Sequence, residues 1–412
     1  MPLPIHIPPL FKEREPFLQG ESELKLAKRL SRLGTETAFE VLVKAKALEA
    51  QGKQVIHLEI GEPDFPTPQS VVAAGTRALE KGHTHYCASA GIPELRKAVA
   101  RDIRATRGIA VDADWVVITP GAKPIMFYLI LALVEEGDEV LYPNPGFPIY
   151  ESMINFAGGK PVPLPLLEKF EFRFDVNELR QRVNDRTKLI IINSPQNPTG
   201  SLLTKGDLEA IAEIAVERDI MVLSDEIYAR IIYGGTHQSI SSLPGMLEKT
   251  VILDGFSKTY AMTGWRLGYG VMRPDLQAHI SRLVTNSVSC TAPFTQMAGL
   301  EALAKAENDV LEMVSEFRRR RDFISKALDS LPGIRCLCPP GAFYVFPNIQ
   351  SFGMTSSAFA DYLLNSVGVA VLSGSSFGEF GEGHIRISYA TSMSNLAKAV
   401  QRIGEAVGKL RT

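Results

Sequence analysis

Between Val55 and about residue 290 the apolar positions fall into short unbroken runs, separated by longer stretches in which they recur at helical spacing. The runs at 115–118, 139–142, 189–193, 220–224, 251–254 and 267–271 are too short for helices. They also lack the strict alternation of a half-solvated strand, so they predict strands covered on both faces. Helical patterns at 125–135 and 205–217 lie between them. Strand and helix alternating in this way predict crossover units and an α/β fold with a mostly parallel central sheet flanked by helices.

The pattern changes towards both ends of the chain. A long helix over 296–331, strands at 343–347, 369–372 and 384–388, and helices at 357–366 and 395–409 predict an α+β segment. Residues 23–50 read as helical, broken near Gly34, with Ala38, Val41, Leu42, Ala45 and Leu48 on one stripe. Five prolines within the first twenty residues predict an irregular N-terminal arm over 1–24. The expected organisation is a large domain over 61–295 and a smaller α+β domain built from 25–60 and 296–412.

Composition narrows the function class. With 412 residues, 45% hydrophobic and 22% charged, the chain has the make-up of a globular protein rather than a disordered or fibrous one. A formal charge of −2 gives no electrostatic case for nucleic acid or an anionic membrane. The longest apolar stretch, 124–134, is too short to cross a bilayer, and no secretory signal pattern opens the chain. Four cysteines make no disulfide framework, and Cys336 with Cys338 is a poor zinc pair. Arg318 to Arg321 lie in a helical stretch, where they point in all directions and read as a solvated face with salt bridges. A cytoplasmic enzyme or small-molecule binder is expected, with no nucleic-acid or membrane partner.

Five motifs carry candidate chemistry. Lys258, in Gly255-Phe-Ser257-Lys258, follows a buried strand, so it stands at the sheet's carboxyl edge. Desolvation there lowers an amine's pKa and makes it a nucleophile toward an aldehyde. Arg266, eight positions on, and Ser257 can grip a phosphate beside it. Asn197, in Asn193-Ser-Pro-Gln-Asn197-Pro-Thr-Gly200, is presented at another strand's end by a backbone stiffened with proline. Asp225, in Asp225-Glu-Ile-Tyr228, follows a third strand and suits either a helix cap or a buried cationic ring nitrogen. Gly121-Ala122-Lys123 precedes Pro124 at the start of a helix, a ready anion site without the P-loop's glycine spacing. Arg386 sits between apolar neighbours and needs an anionic partner: a bound carboxylate, or a structural ion pair.

Together with Ile60-Gly61-Glu62-Pro63-Asp64-Phe65, Tyr86, Gly91-Ile-Pro-Glu-Leu-Arg96 and Gly341-Ala-Phe-Tyr344, these motifs run in the order and spacing of one family. From about residue 24 onward the chain resembles the fold-type I, class I/II aminotransferases, which use pyridoxal 5′-phosphate. The resemblance implies a ping-pong exchange between an amino acid and a 2-oxo acid, with a β-lyase outcome through the same carbanion as the alternative. It implies that Lys258 holds the cofactor as a Schiff base and moves the proton, and that Asp225 faces the ring nitrogen. Asn197 and Tyr228 then bond the phenolic oxygen, and Phe147 stacks on the ring. Gly121, Ala122, Lys123, Ser257 and Arg266 form the phosphate cradle. Tyr86 reaches the phosphate from a neighbouring subunit of a homodimer with shared active sites. Arg386, Asn197 and the backbone of Gly61 clamp the substrate carboxylate. Two departures stand out. Gly255 replaces a serine common in relatives. Ala292 and Ala38-Phe39-Glu40 lack the hydroxyls that some aspartate-using relatives carry, although Lys123 remains as a receiver for a distal carboxylate.

Overall fold

The computed structural model describes residues 24–410, so the expected arm lies outside the described residues except for Leu24. Eight strands form the central sheet: β1 (Val116–Thr119), β2 (Glu139–Asn144), β3 (Lys160–Leu167), β4 (Arg173–Phe174), β5 (Thr187–Asn193), β6 (Met221–Asp225), β7 (Thr250–Gly255) and β8 (Gly268–Val271). Their order is β1-β8-β7-β6-β5-β2-β3-β4. The run from β7 through β6, β5 and β2 to β3 is parallel, whereas β8 is antiparallel to both of its neighbours. The expected α/β fold with a mostly parallel sheet is what forms.

Burial on both faces explains the unbroken apolar runs. Leu189 and Ile191 of β5 join one hydrophobic cluster, with Val140, Leu223 and Leu129. Ile190 and Ile192 join a second on the other face, with Val222 and with Leu208 and Ile211 of the helix Lys205–Glu217. Each such fully buried side chain contributes about 1.5–3 kcal/mol. The register brings the ends of β5, β6 and β7 to one edge: Asn193 pairs with Asp225, and Asp225 with Leu253. Because β8 runs the other way, its start at Gly268 lies opposite Gly255, and Thr119 at the end of β1 is level with both. Every motif loop therefore emerges on the same side.

The chain ends meet elsewhere. Ile56–His57 pairs in parallel with Val369–Ala370, and Ile385–Ser388 lies between Tyr344–Val345 and Leu372–Ser373. The expected strand at 369–372 is thus two short pieces with different partners. The helix expected over 296–331 is also two, Pro293–Lys305 and Glu307–Asp329. The break falls at fully buried Ala306, and Glu307 and Asp309 give the second helix an acidic first turn that favours a fresh N-terminus. Of the stretch expected over 23–50, the described residues 24–50 are α-helical only over Thr37–Ala50, where Ala45 is the one buried residue. The arginine run is not simply solvated. Arg320 is buried, paired with Asp64 at 2.6 Å and Glu316 at 2.9 Å, and it lies over the ring of Phe65.

Candidate active site

The common edge opens into a cleft of about 410 Å³, lined by Lys258, Asp225, Asn197, Tyr228, Arg266 and Arg386 among others. Lys258 sits on the single helical turn Phe256–Thr259 that follows β7, and its Nζ donates to the Gly61 carbonyl at 2.6 Å. Burial pushes its ammonium down to about 8, with Glu62 opposing and Arg386 reinforcing the shift. The shift brings the amine's titration close to physiological pH. Asp225, the last residue of β6, caps no helix. Its carboxyl accepts the Tyr150 hydroxyl at 2.6 Å and the Ile227 N–H at 3.2 Å. Burial nevertheless raises it to about 6, so it is an acid awaiting a cationic partner.

Arg266 and Gly121 fit against each other. Gly121 has φ +86°, and a Cβ there would come within 2.3 Å of Arg266 Nη2, so only glycine admits the guanidinium. Arg266 itself donates to the Thr263 carbonyl at 2.9 Å. Beside it begins the helix Lys123–Leu133, with Pro124 in its first turn as expected. The first N–H groups of that helix have no carbonyl within it to bond. Guanidinium, helix N-terminus and Ser257 thus converge on one end of the cleft, a cradle suited to a dianionic phosphate. Gly255, where relatives commonly have serine, is tightly packed: a Cβ there would stand 3.0 Å from Gly268 Cα and 3.1 Å from the Leu267 carbonyl, between paired strands.

Arg386 occupies the opposite side. It is buried, its Nη1 donates to Asn197 Oδ1 at 3.1 Å and its Nη2 to the Glu59 carbonyl. Its plane lies over Tyr344, 4.5 Å from the ring centroid, and near Phe377 at 5.0 Å. Its Nε has no partner, and no ion pair to it occurs among the described residues. A buried guanidinium with a free N–H, facing a cleft, is built to take a carboxylate. Tyr344 also meets the Tyr228 hydroxyl at 2.8 Å and overhangs Gly61, where a Cβ would lie 2.2 Å from its oxygen.

Tyr86, which the resemblance assigns to a neighbouring subunit's site, is 88% exposed and lies outside this chain's own cleft. Ala292 lines a different hollow. The Lys123 ammonium is already paired with Glu36 and lies 5.2 Å from the Phe147 ring centroid. Phe147 lines the cleft, edge-on to Tyr150 at 5.7 Å.

Motif reading gave Tyr344 a place in a matching segment but no role, missed Tyr150 and Glu36, and also missed a buried charge cluster under the floor. Arg107 reaches from the helix Pro93–Arg107 to Glu226 at 3.0 Å and Asp254 at 2.5 Å, and His237 approaches Glu226 at 3.0 Å. Burial pushes the Glu226 carboxyl up, but His237 and Arg107 outweigh it and hold the group well below the usual range. One arginine thus ties the ends of β6 and β7, directly behind Asp225 and Lys258. Spacing gave no signal, since Arg107 lies 119 residues from Glu226.

The model of the aminotransferase class I and II family matches residues 53–403. The chain is similar to an aspartate aminotransferase of Pyrococcus abyssi, 43% identical over 85% of this chain and 91% of that protein. Among solved structures it is similar to the aromatic aminotransferase of Pyrococcus horikoshii, with TM-score 0.85 and 42% identity over 89% of this chain and 99% of that one. It also resembles the aspartate aminotransferase of Thermus thermophilus solved with maleate, with TM-score 0.89 and 37% identity over 93% of this chain and all of that one. The chain belongs to the class I and II aminotransferases and is an amino-acid aminotransferase of fold-type I.

Proposed function

We propose that the protein binds pyridoxal 5′-phosphate in this cleft and exchanges an amino group between an amino acid and a 2-oxo acid in two half-reactions. The observation that carries the reading is the convergence of Lys258, Asp225, Arg266 and Arg386 on one cleft. The cradle that a Cβ at Gly121 would fill, and the buried acid at Asp225 without a cation, fit the phosphate and ring nitrogen of that cofactor. When bound, the cofactor supplies an aldehyde carbon to carry the amino group and a ring that draws electron density from the substrate Cα.

The chain's own residues do the rest. Gly121, Ala122, the Lys123 backbone, Ser257 and Arg266 hold the phosphate. Asp225, kept in place by Tyr150, pairs with the ring nitrogen and keeps it protonated. Asn197 and Tyr228 bond the phenolic oxygen, and Phe147 covers the ring. Arg386, with Asn197 and the backbone of Gly61 nearby, takes the α-carboxylate and so fixes the direction of the Cα–H bond. The Lys258 amine, its pKa depressed by burial, would receive the Cα proton and hold it inside the cleft.

The same reading makes Tyr86, exposed on this chain, a contributor to a second subunit's cleft in a homodimer. It places the protein in the cytoplasm and keeps the division into a domain over 61–295 and one over 25–60 with 296–412. Mixing the pyridoxal phosphate-loaded protein with a panel of amino acids should shift the cofactor's absorbance, and 2-oxo acids should reverse the shift. Lys258→Ala should slow this by about 10⁴-fold; an undiminished rate in that variant would overturn the assignment.

A further inference from the structure

We infer that Glu36 sets the charge preference of the cleft by occupying the cation at Lys123, so that amino acids with uncharged apolar side chains are favoured over dicarboxylic ones. The inference rests on the aminotransferase reading above and names its donor class. Among the described residues of this chain, four cationic side chains line the cleft: Lys123, Lys258, Arg266 and Arg386. Three are committed: Lys258 to the reacting carbon, Arg266 to the phosphate end, Arg386 to the α-carboxylate. Lys123 alone is left to meet a substrate's side chain, and its ammonium is taken by the Glu36 carboxylate.

Glu36 reaches in from the extended residue just before the helix Thr37–Ala50, at φ −97° and ψ 116°, and its side chain caps no helix N–H. Its carboxylate is therefore not held by local backbone, and its ion-pair partner is Lys123. Ile60, Phe39, Met126, Phe147 and Phe377 line the same cleft. A substrate anchored on Arg386 extends its side chain among these groups. An apolar side chain packs on the rings and leaves the Glu36–Lys123 pair intact. A distal carboxylate finds Lys123 neutralised and a like charge beside it, and must expel Glu36 into water to gain the same contact. Since only Ala45 of the following helix is buried, that expulsion is possible. Dicarboxylates are disfavoured, not barred.

The test compares wild type with Glu36→Gln and Glu36→Ala, each loaded with pyridoxal phosphate. Calorimetry measures binding of two unreactive probes, succinate and 3-phenylpropionate, and half-reactions give kcat and KM for aspartate and phenylalanine. Wild type should prefer 3-phenylpropionate and phenylalanine. Both variants should bind succinate about fivefold more tightly, as expected for releasing one partly exposed charge pair, and lower KM for aspartate with kcat little changed. Their affinity for 3-phenylpropionate should move less than about twofold. An unchanged ratio of the two probes, or equal tightening of both, would overturn the role of Glu36 while leaving the aminotransferase reading intact. Failure of wild type to react with either amino acid would instead sink that reading.

Discussion

The floor of the cleft and its rim are built on opposite terms. On the floor, Asp225 and Lys258 extend from strands buried on both faces, and the Arg107–Glu226–Asp254 cluster ties those strand ends together from behind. At the rim, Glu36 stands just before, and Phe39 on, a helix that buries a single residue, with Phe39 itself 62% exposed. Proton transfer needs donor and acceptor held within tenths of an ångström, which packed strand ends supply. Choosing among side chains needs only a modest difference in contact free energy, which a loosely held carboxylate can supply. The contrast separates where reactivity is fixed from where selectivity can be changed cheaply.

The comparison breaks first at Arg107. Arg107→Met leaves Glu226 and Asp254 buried with one cation fewer, and should destabilise the protein by about 3–5 kcal/mol, read from the midpoint of urea unfolding. A loss below 1 kcal/mol would mean that the cluster does not brace the floor. Next is Tyr150→Phe, which removes the hydroxyl donated to Asp225 and should cost about 1–3 kcal/mol of transition-state stabilisation in kcat/KM. Because that hydrogen bond favours the charged carboxylate, its loss moves the Asp225 pKa further up from about 6. The acid limb of the pH–rate profile should therefore shift to higher pH. The smallest effect is expected further along the same helix: Lys46→Ala, which breaks an exposed pair with Glu49 at 2.8 Å, should change stability by no more than about 0.5 kcal/mol.

The central strands were legible because each is covered on both faces and so carries an unbroken apolar run. β3 was not, since Pro161, Pro163 and Pro165 in Lys160–Leu167 argue against a strand. At alternate positions the three missing N–H groups fall on one side of β3, and alongside 160–165 only the side facing β2 is paired. The site followed the same division. Lys258, Asp225, Asn197 and Arg266 could be found because each sits in a local motif next to a strand end. Tyr150, Glu36 and Arg107 act through contacts between distant segments, such as Glu36 with Lys123 at 87 residues' separation, and no local pattern marks them. The Ala306 break left one faint sign, the acids at Glu307 and Asp309.

The central claim is that the amine placed at the end of β7 is the one that takes the cofactor covalently. Borohydride reduction of the protein loaded with pyridoxal phosphate, followed by peptide mass mapping, tests it directly. The account predicts one modified residue, Lys258, and none in Asp225→Asn protein competed with excess free amino acid before reduction. Modification at Lys123 or at a surface lysine, with Lys258 untouched, would contradict it.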